Sequence, residues 1–347
     1  MKINTSPVLT SKNYGINDID IDEKTFDKSC DFCGTYAIAK DCNMYECSST
    51  PTNPICDEAT KQLKLSNSSM QFVLNKSSSE PIQIIVNFDK DNLNLIGKFE
   101  IVIKEDIKRD TIIKIENQNN QVFVNNFINV ICEKNSQSNI TILCDLDGSQ
   151  NFQTIEINTK ENAICNLNII DFSSNLTAIK NTTNLVGENS QINSRIIYFA
   201  SKNGLLDMNI INNIHAKNCR ATIDAVGALS GAATKNFKGT IDFKNGAAKS
   251  YGSENELCLL LSENAKAKAL PMLLCHEEDV DGSHSTATGK IDSKSLFYLM
   301  SRGLSKTDAT KLIVKAKFNS ILKNVTKDIQ EHIINKIDRK LENDEQF

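Results

Sequence analysis

Short apolar runs typical of β-strands dominate the middle of the chain. From residue 81 onward, runs rich in Ile, Val, Phe and Thr follow one another, and several alternate apolar with polar residues. A period of two places every second side chain on the same face of a strand. The pattern predicts strands at residues 82–88, 99–103, 121–127, 140–146, 154–158, 165–172, 192–199, 208–214 and 221–226.

The connections between these runs favour a parallel arrangement. They use Asn, Ser, Lys and Asp rather than the Asn-Gly or Gly-Gly pairs typical of two-residue hairpins. In a parallel coil each turn stacks on the previous one and buries a continuous Ile/Val/Leu core. We therefore predict a mainly β protein with a parallel β-helix core, with sandwich, barrel and propeller as the alternatives. No exact repeat period is legible in the sequence.

Helical patterns follow the strands. The sequence predicts a short helix over residues 293–302, capped by Ser293 and ended by Gly303. Ser305 and Asp308 resemble a capping box, after which an apolar stripe at three- and four-residue steps predicts one helix running to about Glu342. The stripe consists of Phe318, Ile321, Leu322, Val325, Ile329, Ile333, Ile337 and Leu341. We expect it to cover the end of the β-helix, or in part to receive a partner.

These changes in pattern divide the chain into three parts. We predict a Cys-rich N-terminal region at residues 1–80, a β-helix core at 81–290 and a helical subdomain at 291–347. The 347 residues are 40% apolar, which is enough for a large core. With 39 basic and 43 acidic residues, the net charge of −4 lacks the excess that binding to nucleic acid or an anionic membrane uses, so we expect neither partner.

The chain contains 11 cysteines. No secretory signal is visible at the N-terminus and no apolar run approaches the ~20 residues that span a bilayer, so we expect a reducing, cytoplasmic location. Thiols are then available for metal binding, redox chemistry or burial. Five of them lie in the N-terminal region, where they are candidate ligands for zinc or iron: Cys30, Cys33, Cys42, Cys47 and Cys56. A zinc- or redox-sensing module built on these thiols is one alternative function.

Five further cysteines lie in apolar runs. As a class they are expected to be small buried hydrophobic residues. They are Cys132, Cys144, Cys165, Cys219 and Cys258. Burial would raise the pKa of the Cys258 thiol and make it inert unless a cation lies near.

The densest polar run covers residues 275–284. It begins with Cys275 and His276, ends with His284, and includes four carboxylates. Thiol, imidazole and carboxylate groups are all metal donors, although alternation along a strand would divide them between two faces. A second alternative uses those carboxylates in a β-helix enzyme acting on acidic polysaccharide. Gly-rich phosphate loops are absent, so no nucleotide is expected on this chain.

From about Asn181 onward, the chain resembles the SufB/SufD family of iron–sulfur cluster assembly proteins. The resemblance rests on an ordered series of short motifs, of which the stretch from the histidine to Leu-Phe-Tyr-Leu-x-Ser-Arg-Gly is the most specific. The motifs are Gly239-Thr240-Ile241, Gly246-Ala247, Leu259-Leu260-Leu261-Ser262, Pro271, Asp279-Val280, Ser283-His284, Gly289-Lys290-Ile291-Asp292 and residues 296–303. Leu-Leu-Leu-Ser and Ser-His place the chain closer to SufD.

The resemblance implies a right-handed parallel β-helix and a non-catalytic scaffold. It implies pairing with a SufB-like subunit or with a second copy, docking of a SufC ATPase, a sulfur donor system, and a transient iron–sulfur cluster or iron. His284 matches the SufD histidine placed at the interface. The segment from Leu296 to Phe318 matches the SufC-docking segment, which gives Leu296, Phe297, Tyr298, Arg302 and Phe318 as docking residues.

The chain departs from the family pattern at three positions. Gly282 stands where SufD members often have Cys, and Ser285 stands where SufB members have Glu. The SufB acceptor cysteine falls near Glu256. Cys258, two residues on, would lie on the same strand face and is the candidate substitute. Cys275 and the N-terminal cysteines are further candidates for receiving sulfur or iron.

Overall fold

The computed structural model describes residues 1–342 except 9–13, 29–33, 39, 89, 91–92 and 118–120. Cys30 and Cys33 lie outside the described residues. In chain order the strands are β1 (Thr35–Ile38), β2 (Asn43–Tyr45), β3 (Ser68–Leu74), β4 (Ile82–Asn87), β5 (Asn94–Ile103), β6 (Thr111–Asn117), β7 (Phe123–Cys132), β8 (Gln137–Thr159), β9 (Ile164–Asp171), β10 (Ser174–Leu185), β11 (Gln191–Ala200), β12 (Leu205–Ile214), β13 (Arg220–Leu229), β14 (Thr234–Phe243), β15 (Ser250–Leu260), β16 (Lys266–Cys275) and β17 (Val280–Lys290). The helices are a short 3₁₀ helix (Glu23–Phe26), α1 (Asp57–Leu63), α2 (Ser293–Ser301), α3 (Lys306–Leu322) and α4 (Lys327–Glu342).

The strands form a parallel β-helix of about seven turns, as the pattern predicted. Sheet 1 consists of β4, β6, the first half of β8, β9, β11, β13, β15 and β17. Sheet 2 consists of β3, β5, β7, the second half of β8, β10, β12, β14 and β16. The long strand β8 passes from one sheet to the other. Alternate side chains of both sheets point into one continuous apolar interior.

The turns are unequal in length. Residues in register on neighbouring strands are separated by 26 positions between Gln150 and Leu176, but by 32 positions between Thr234 and Lys266. This variation explains why no exact period is visible in the sequence.

One corner of the coil nevertheless repeats in every turn from β6 to β15. A residue with positive φ occupies this corner, where Asn and Asp are tolerated because their short side chains can form local hydrogen bonds. These residues are Asp106, Asn135, Asn162, Asn189, Asn218 and Lys249. Asn135 donates to Asp106, Asn162 to Asn135 and Asn189 to Asn162, at 2.9, 2.9 and 3.0 Å. The ladder of amides ties successive turns together.

The C-terminal stripe forms two helices, so the prediction of one helix to Glu342 was wrong. The chain turns after Leu322, and α4 runs back along α3, with ion pairs from Lys311 to Glu342 (2.7 Å) and from Lys315 to Asp338 (2.5 Å). The stripe covers the outer face of sheet 1 rather than the end of the coil. It packs there on apolar residues that include Ile197, Phe199, Val226 and Leu259.

The N-cap of the short helix α2 lies one residue earlier than predicted. Asp292, not Ser293, is its N-cap, and the Asp292 carboxylate accepts hydrogen bonds from the backbone N–H groups of Lys294 and Ser295. Gly303 ends the helix with a φ of 95°, as predicted. Ser305 caps α3 by accepting from the Asp308 N–H, also as predicted.

The N-terminal region packs on the outer face of sheet 2. The Asn4 side chain donates to the Asp207 carboxylate (2.5 Å), and Lys238 donates to the Asn4 carbonyl (2.7 Å). The backbone N–H groups of Thr52 and Asn53 donate to the Glu156 carboxylate at 2.6 and 2.7 Å. These contacts hold the region against the coil through buried polar groups.

The two ends of the coil differ. At the first turn, β1 pairs antiparallel with β4 and β2 pairs antiparallel with β3, so both first edges are covered. At the last turn, among the described strands, β16 pairs with β14 and β17 with β15, and neither has a second ladder partner.

The parallel pairing of strands begins before residue 80, because β3 pairs parallel with β5. The division of the chain into domains at residues 80 and 290 stays a prediction. The helices of the described part of the chain are all too short or too polar to cross a membrane.

Candidate functional site

The open last turn brings His284 and Cys258 onto one inner surface. His284 lies in register with Glu254 of the preceding turn, Thr286 with Glu256 and Thr288 with Cys258. Residues in register on parallel strands project to the same side, about 4.8 Å apart. Nearly all of β17 is exposed, whereas Glu254, Glu256 and Cys258 are buried. The predicted pair therefore shares one face, with His284 at the open end and Cys258 one turn inside.

A charged cluster lies directly behind this end. Lys235 of β14 and Glu256 of β15 form an ion pair inside the coil, and neither side chain is exposed. The Tyr198 hydroxyl donates to the same Glu256 oxygen at 2.8 Å. The Lys235 ammonium also lies 5.8 Å from the Tyr198 ring and 5.6 Å from the Phe237 ring. Charges in an apolar interior need such partners, because the cost of removing them from water is large.

The Glu254 side chain is fully buried inside the coil. Among the described residues, no hydrogen bond reaches either carboxylate oxygen. Burial, together with the neighbouring Glu256 charge, raises the pKa of Glu254 to about 8, although the Lys235 charge acts in the opposite direction. The carboxyl group lies over Gly239, where a Cβ would be only 2.2 Å from Glu254 Oε1. The raised pKa favours the neutral form of Glu254, whose carboxyl group lies where a glycine leaves room for it.

Cys258 lies beside the same cluster. Burial raises the pKa of its thiol, although the Lys235 charge and a hydrogen bond with Tyr198 favour the thiolate. A cation is thus near, but its effect is smaller than that of burial. In the closed coil Cys258 is a thiol and a weak nucleophile.

The other cysteines of the apolar runs are buried, as predicted. Cys132, Cys144, Cys165 and Cys219 are all at most 2% exposed. Cys219 follows the corner residue Asn218, at a position that Ser136, Ala163, Ser190 and Ser250 occupy in other turns. A small side chain is needed there, which accounts for Cys219 without a ligand role.

The N-terminal cysteines that the structure describes occupy separate environments. Cys47 is buried with its thiol 3.0 Å from the Ser49 hydroxyl, Cys42 packs beside the main core, and Cys56 is the N-cap of α1. Burial raises the pKa of Cys42 and of Cys56. Within the described residues, His, Cys, Asp and Glu side chains form no group of three or more that could hold a metal ion.

The polar run at residues 275–284 is divided by a corner. Cys275 ends β16 and is exposed, residues 276–279 form the connection, and β17 begins at Val280. The expected strand alternation from Cys275 to Val280 was therefore wrong. His276 lies 3.7 Å from Asp242, and Glu277 accepts a hydrogen bond from the Gly246 N–H. The alternative of a polysaccharide-acting enzyme stays a prediction.

The predicted docking residues differ in exposure. Helix α2 buries none of its residues in this chain, and Phe297 and Tyr298 are 72% and 58% exposed. The Arg302 guanidinium lies 5.4 Å from the Tyr298 ring. Leu296 is half-buried, but Phe318 is fully buried between α3 and sheet 1. Phe318 therefore anchors α3 and does not belong to the exposed surface.

Three residues of the interior cluster were missed from the sequence: Tyr198, Lys235 and Glu254. Lys235 and Glu254 lie at inward positions of strands whose side chains otherwise alternate between the interior and the outer face. A charged residue at an inward position was the signal available in the sequence.

These features define a class of protein: a parallel β-helix that is covered at its first turn and open at its last, with an exposed helix following the open end. Residues 86–317, about two thirds of the chain, match the family model described as "SUF system FeS cluster assembly, SufBD core domain". The chain belongs to this family, on the side of SufD.

Comparison with individual proteins agrees. The chain is 28% identical over 168 residues to the iron–sulfur cluster assembly protein SufD of Bacillus subtilis. The aligned segment covers 48% of this chain and 38% of that protein. It is 31% identical over 147 residues to a SufBD family protein of Pyrococcus horikoshii (42% and 32%) and 31% identical over 137 residues to SufD of Escherichia coli (39% and 32%). The matched segments thus span about a third of each relative.

Proposed function

We propose that this protein is a non-catalytic scaffold subunit of SUF-type iron–sulfur cluster assembly. Its open last turn pairs with a SufB-like subunit or a second copy, and its helices dock a SufC ATPase. The role in cluster assembly is supported by the family match over residues 86–317. The proposal for pairing rests on strand β17, which is exposed and has His284 on its inner face.

An unpaired edge strand favours pairing with another chain. Its free backbone N–H and C=O groups can continue a ladder, and proteins usually protect such edges. Here the first edges are covered by β1 and β2, while β17 has one ladder partner among the described strands. Pairing at β17 would cover His284, Thr286 and Thr288 and enclose the interior cluster behind them.

Iron and sulfide are cargo in this proposal. Imidazole and thiolate both ligate iron, and few protein ligands leave a cluster labile enough to transfer. His284 is accessible at the open end, whereas Cys258 becomes available only when the last turn moves, because it is buried as a thiol. Movement driven by the ATPase on α2 would supply that opening.

Pairing is tested by co-purification of the full chain with a SufB-like subunit under anaerobic conditions, followed by mass measurement in solution. We expect a complex with the wild type and its loss with Thr286→Lys, which puts a charge on the exposed inner face. Asn203→Lys, at an exposed corner between β11 and β12, is the matched control. Wild type that remains a monomer with every partner would refute the pairing.

The cargo is tested by anaerobic reconstitution of the pair with iron and sulfide. Visible absorption and Mössbauer spectra of wild type, His284→Ala and Cys258→Ser report the ligands. We expect His284→Ala to reduce the bound iron several-fold. Iron content and spectra unchanged in both variants would exclude this site.

A further inference from the structure

The helical segment that follows the coil is strongly basic. Residues 293–323 contain seven basic residues and one acidic residue, Asp308, in a chain whose net charge is −4. The basic residues are Lys294, Arg302, Lys306, Lys311, Lys315, Lys317 and Lys323. Lys311 and Lys315 pair with carboxylates of α4, and the other five are exposed, with no ion pair to the described residues. The surface of α2 and α3 therefore presents positive charge to solvent.

A groove beside α3 contains another cation. Its volume is about 450 Å³, and Arg195, Asp224, Asn255 and Ser285 form its polar floor, one from each of β11, β13, β15 and β17. Ser320, Ile321 and Asn324 line its α3 side. The groove reaches the unpaired edge of the coil, since Ser285 belongs to β17.

Arg195 is the unsatisfied member of this floor. Ser285 donates to Asn255 (2.9 Å), and Asn255 donates to Asp224 (3.1 Å). No described residue forms a hydrogen bond or ion pair with the Arg195 guanidinium. Burial lowers the pKa of Arg195, and the Asp224 charge only partly opposes this effect. A half-buried guanidinium presents several N–H donors in a planar fork that fits a carboxylate.

We propose that the α2–α3 surface recognises an acidic face of the docked SufC-type ATPase, with one Asp or Glu of the ATPase bound to Arg195 in the groove. This inference rests on the proposed function and adds the chemistry of the partner. Exposed Phe297, Tyr298 and Met300 supply the apolar contact at one end of α3, and Arg195 supplies the charged contact at the other. Aromatic and Arg anchors of this type dominate the energy of protein interfaces.

Protein is favoured over nucleic acid or membrane because the floor that holds Arg195 also carries the Asp224 carboxylate. A row of phosphates would meet that negative charge. A single carboxylate can approach the guanidinium from the open side of the groove.

Calorimetric titration of the full chain with the SufC-type ATPase of the same organism tests the inference. Arg195→Glu is expected to weaken binding at least ~10-fold, and Arg195→Lys by less, because it keeps the charge and loses the fork. Lys317→Glu/Lys323→Glu, on exposed positions of α3, is expected to weaken binding too and does not depend on the groove. Lys217→Glu, at an exposed corner of the coil, is the control and should change affinity less than ~2-fold. Circular dichroism melting confirms that each variant is folded.

The outcomes separate the two proposals. If Arg195→Glu and the double variant both bind like wild type while Phe297→Ser binds weakly, the acidic partner face is refuted and the docking stands. If wild type does not bind the ATPase, both are refuted. If duplex DNA or phosphatidylglycerol vesicles bind wild type as tightly as the ATPase and lose binding with Arg195→Glu, the surface serves another class of partner and the inference is overturned.

Discussion

Lys235 and Glu256 form an ion pair in the interior of the β-helix, at positions where the preceding turn carries the apolar side chains of Leu206 and Ala225. Both side chains have no exposure to solvent, and Tyr198 donates to the same carboxylate. Such a pair is costly to bury and more costly to break, because removing one partner leaves an uncompensated charge in a low dielectric. Behind the open end of the coil, each of the two buried charges is therefore stabilised by the other.

The first prediction follows from this compensation. Lys235→Met alone should lower the free energy of unfolding by about 3–5 kcal/mol, because Glu256 is left buried and unpaired. Lys235→Met/Glu256→Leu should recover most of the loss, since neither charge remains. The shift in the urea midpoint measures both effects. Lys134→Met, which removes an exposed ion pair with Glu161, should change the free energy by less than ~1 kcal/mol. A double variant no more stable than Lys235→Met would contradict the argument.

The second prediction concerns the glycine that faces Tyr198. A Cβ on Gly227 would lie 2.0 Å from Tyr198 Cε2, inside a fully packed interior. Gly227→Ala should destabilise the protein by about 1–3 kcal/mol, because the ring or the strand must move. Gly289→Ala on β17 is the matched control, since its Cβ would meet nothing within 4 Å. Equal melting temperatures for the two variants would show that the ring adapts without cost.

The sequence predicted the coil well where its interior is apolar. Alternation identified strands up to residue 226, because inward positions such as Ile192, Ile196 and Ile210 are aliphatic. The runs that alternation identified do not include β14 to β17, although Cys258 of β15 was expected to lie on a strand. The inward positions of these four strands include Lys235, Gly239, Glu254 and Glu256, which interrupt the apolar pattern at the end where the candidate site lies.

The repeat period of the coil was not recognised in the sequence for a different reason. The corner asparagines Asn135, Asn162 and Asn189 are spaced by 27 residues, but other turns differ, so a fixed window does not detect them. Asparagine followed by a small buried residue was the available signal. The pairing of Lys235 with Glu256 could not be predicted at all, because it depends on which strands stack across a coil of variable turn length.

The third prediction uses the buried carboxyl of Glu254. Its pKa is raised to about 8 in the folded protein, above the ordinary value of 4.5. Between these values the folded state holds a proton that the unfolded state has lost, so stability falls as the pH rises. Glu254→Gln keeps the shape and removes the titration, and it should flatten the decline in melting temperature from pH 5 to pH 8. A decline as steep as in wild type would mean that Glu254 is ionised or solvated in the fold.

The fourth prediction concerns the attachment of α4 to the coil. His332 of α4 lies 3.3 Å from Asp145 and 3.4 Å from Glu116 of sheet 1, while Lys336 lies 2.8 Å from Asp145. The pKa of His332 is raised, because the interaction with Asp145 and the charge of Glu116 outweigh burial and the repulsion of Lys336. A histidine whose pKa is raised in the folded state stabilises that state. This stabilisation is complete below the ordinary histidine pKa of 6.5 and is lost as the pH rises through the pKa of the folded state. Helix α4 should therefore be held more tightly at pH 6 than at pH 8.

Hydrogen exchange of α4, corrected for the intrinsic effect of pH, measures this attachment. We expect protection of residues 327–342 to fall several-fold between pH 6 and pH 8 in wild type, and to vary little in His332→Gln. His276→Gln, at the corner before β17, is the matched control and should keep the wild-type dependence. Since Asp145 is fully buried beneath α4, losing the imidazolium leaves Lys336 as the nearest remaining cation to that carboxylate. A pH dependence that persists in His332→Gln would assign the effect to another group. The first to test is Asp171 inside the coil, because burial raises its pKa to about 7 and the charge of Lys340 on α4 acts on it.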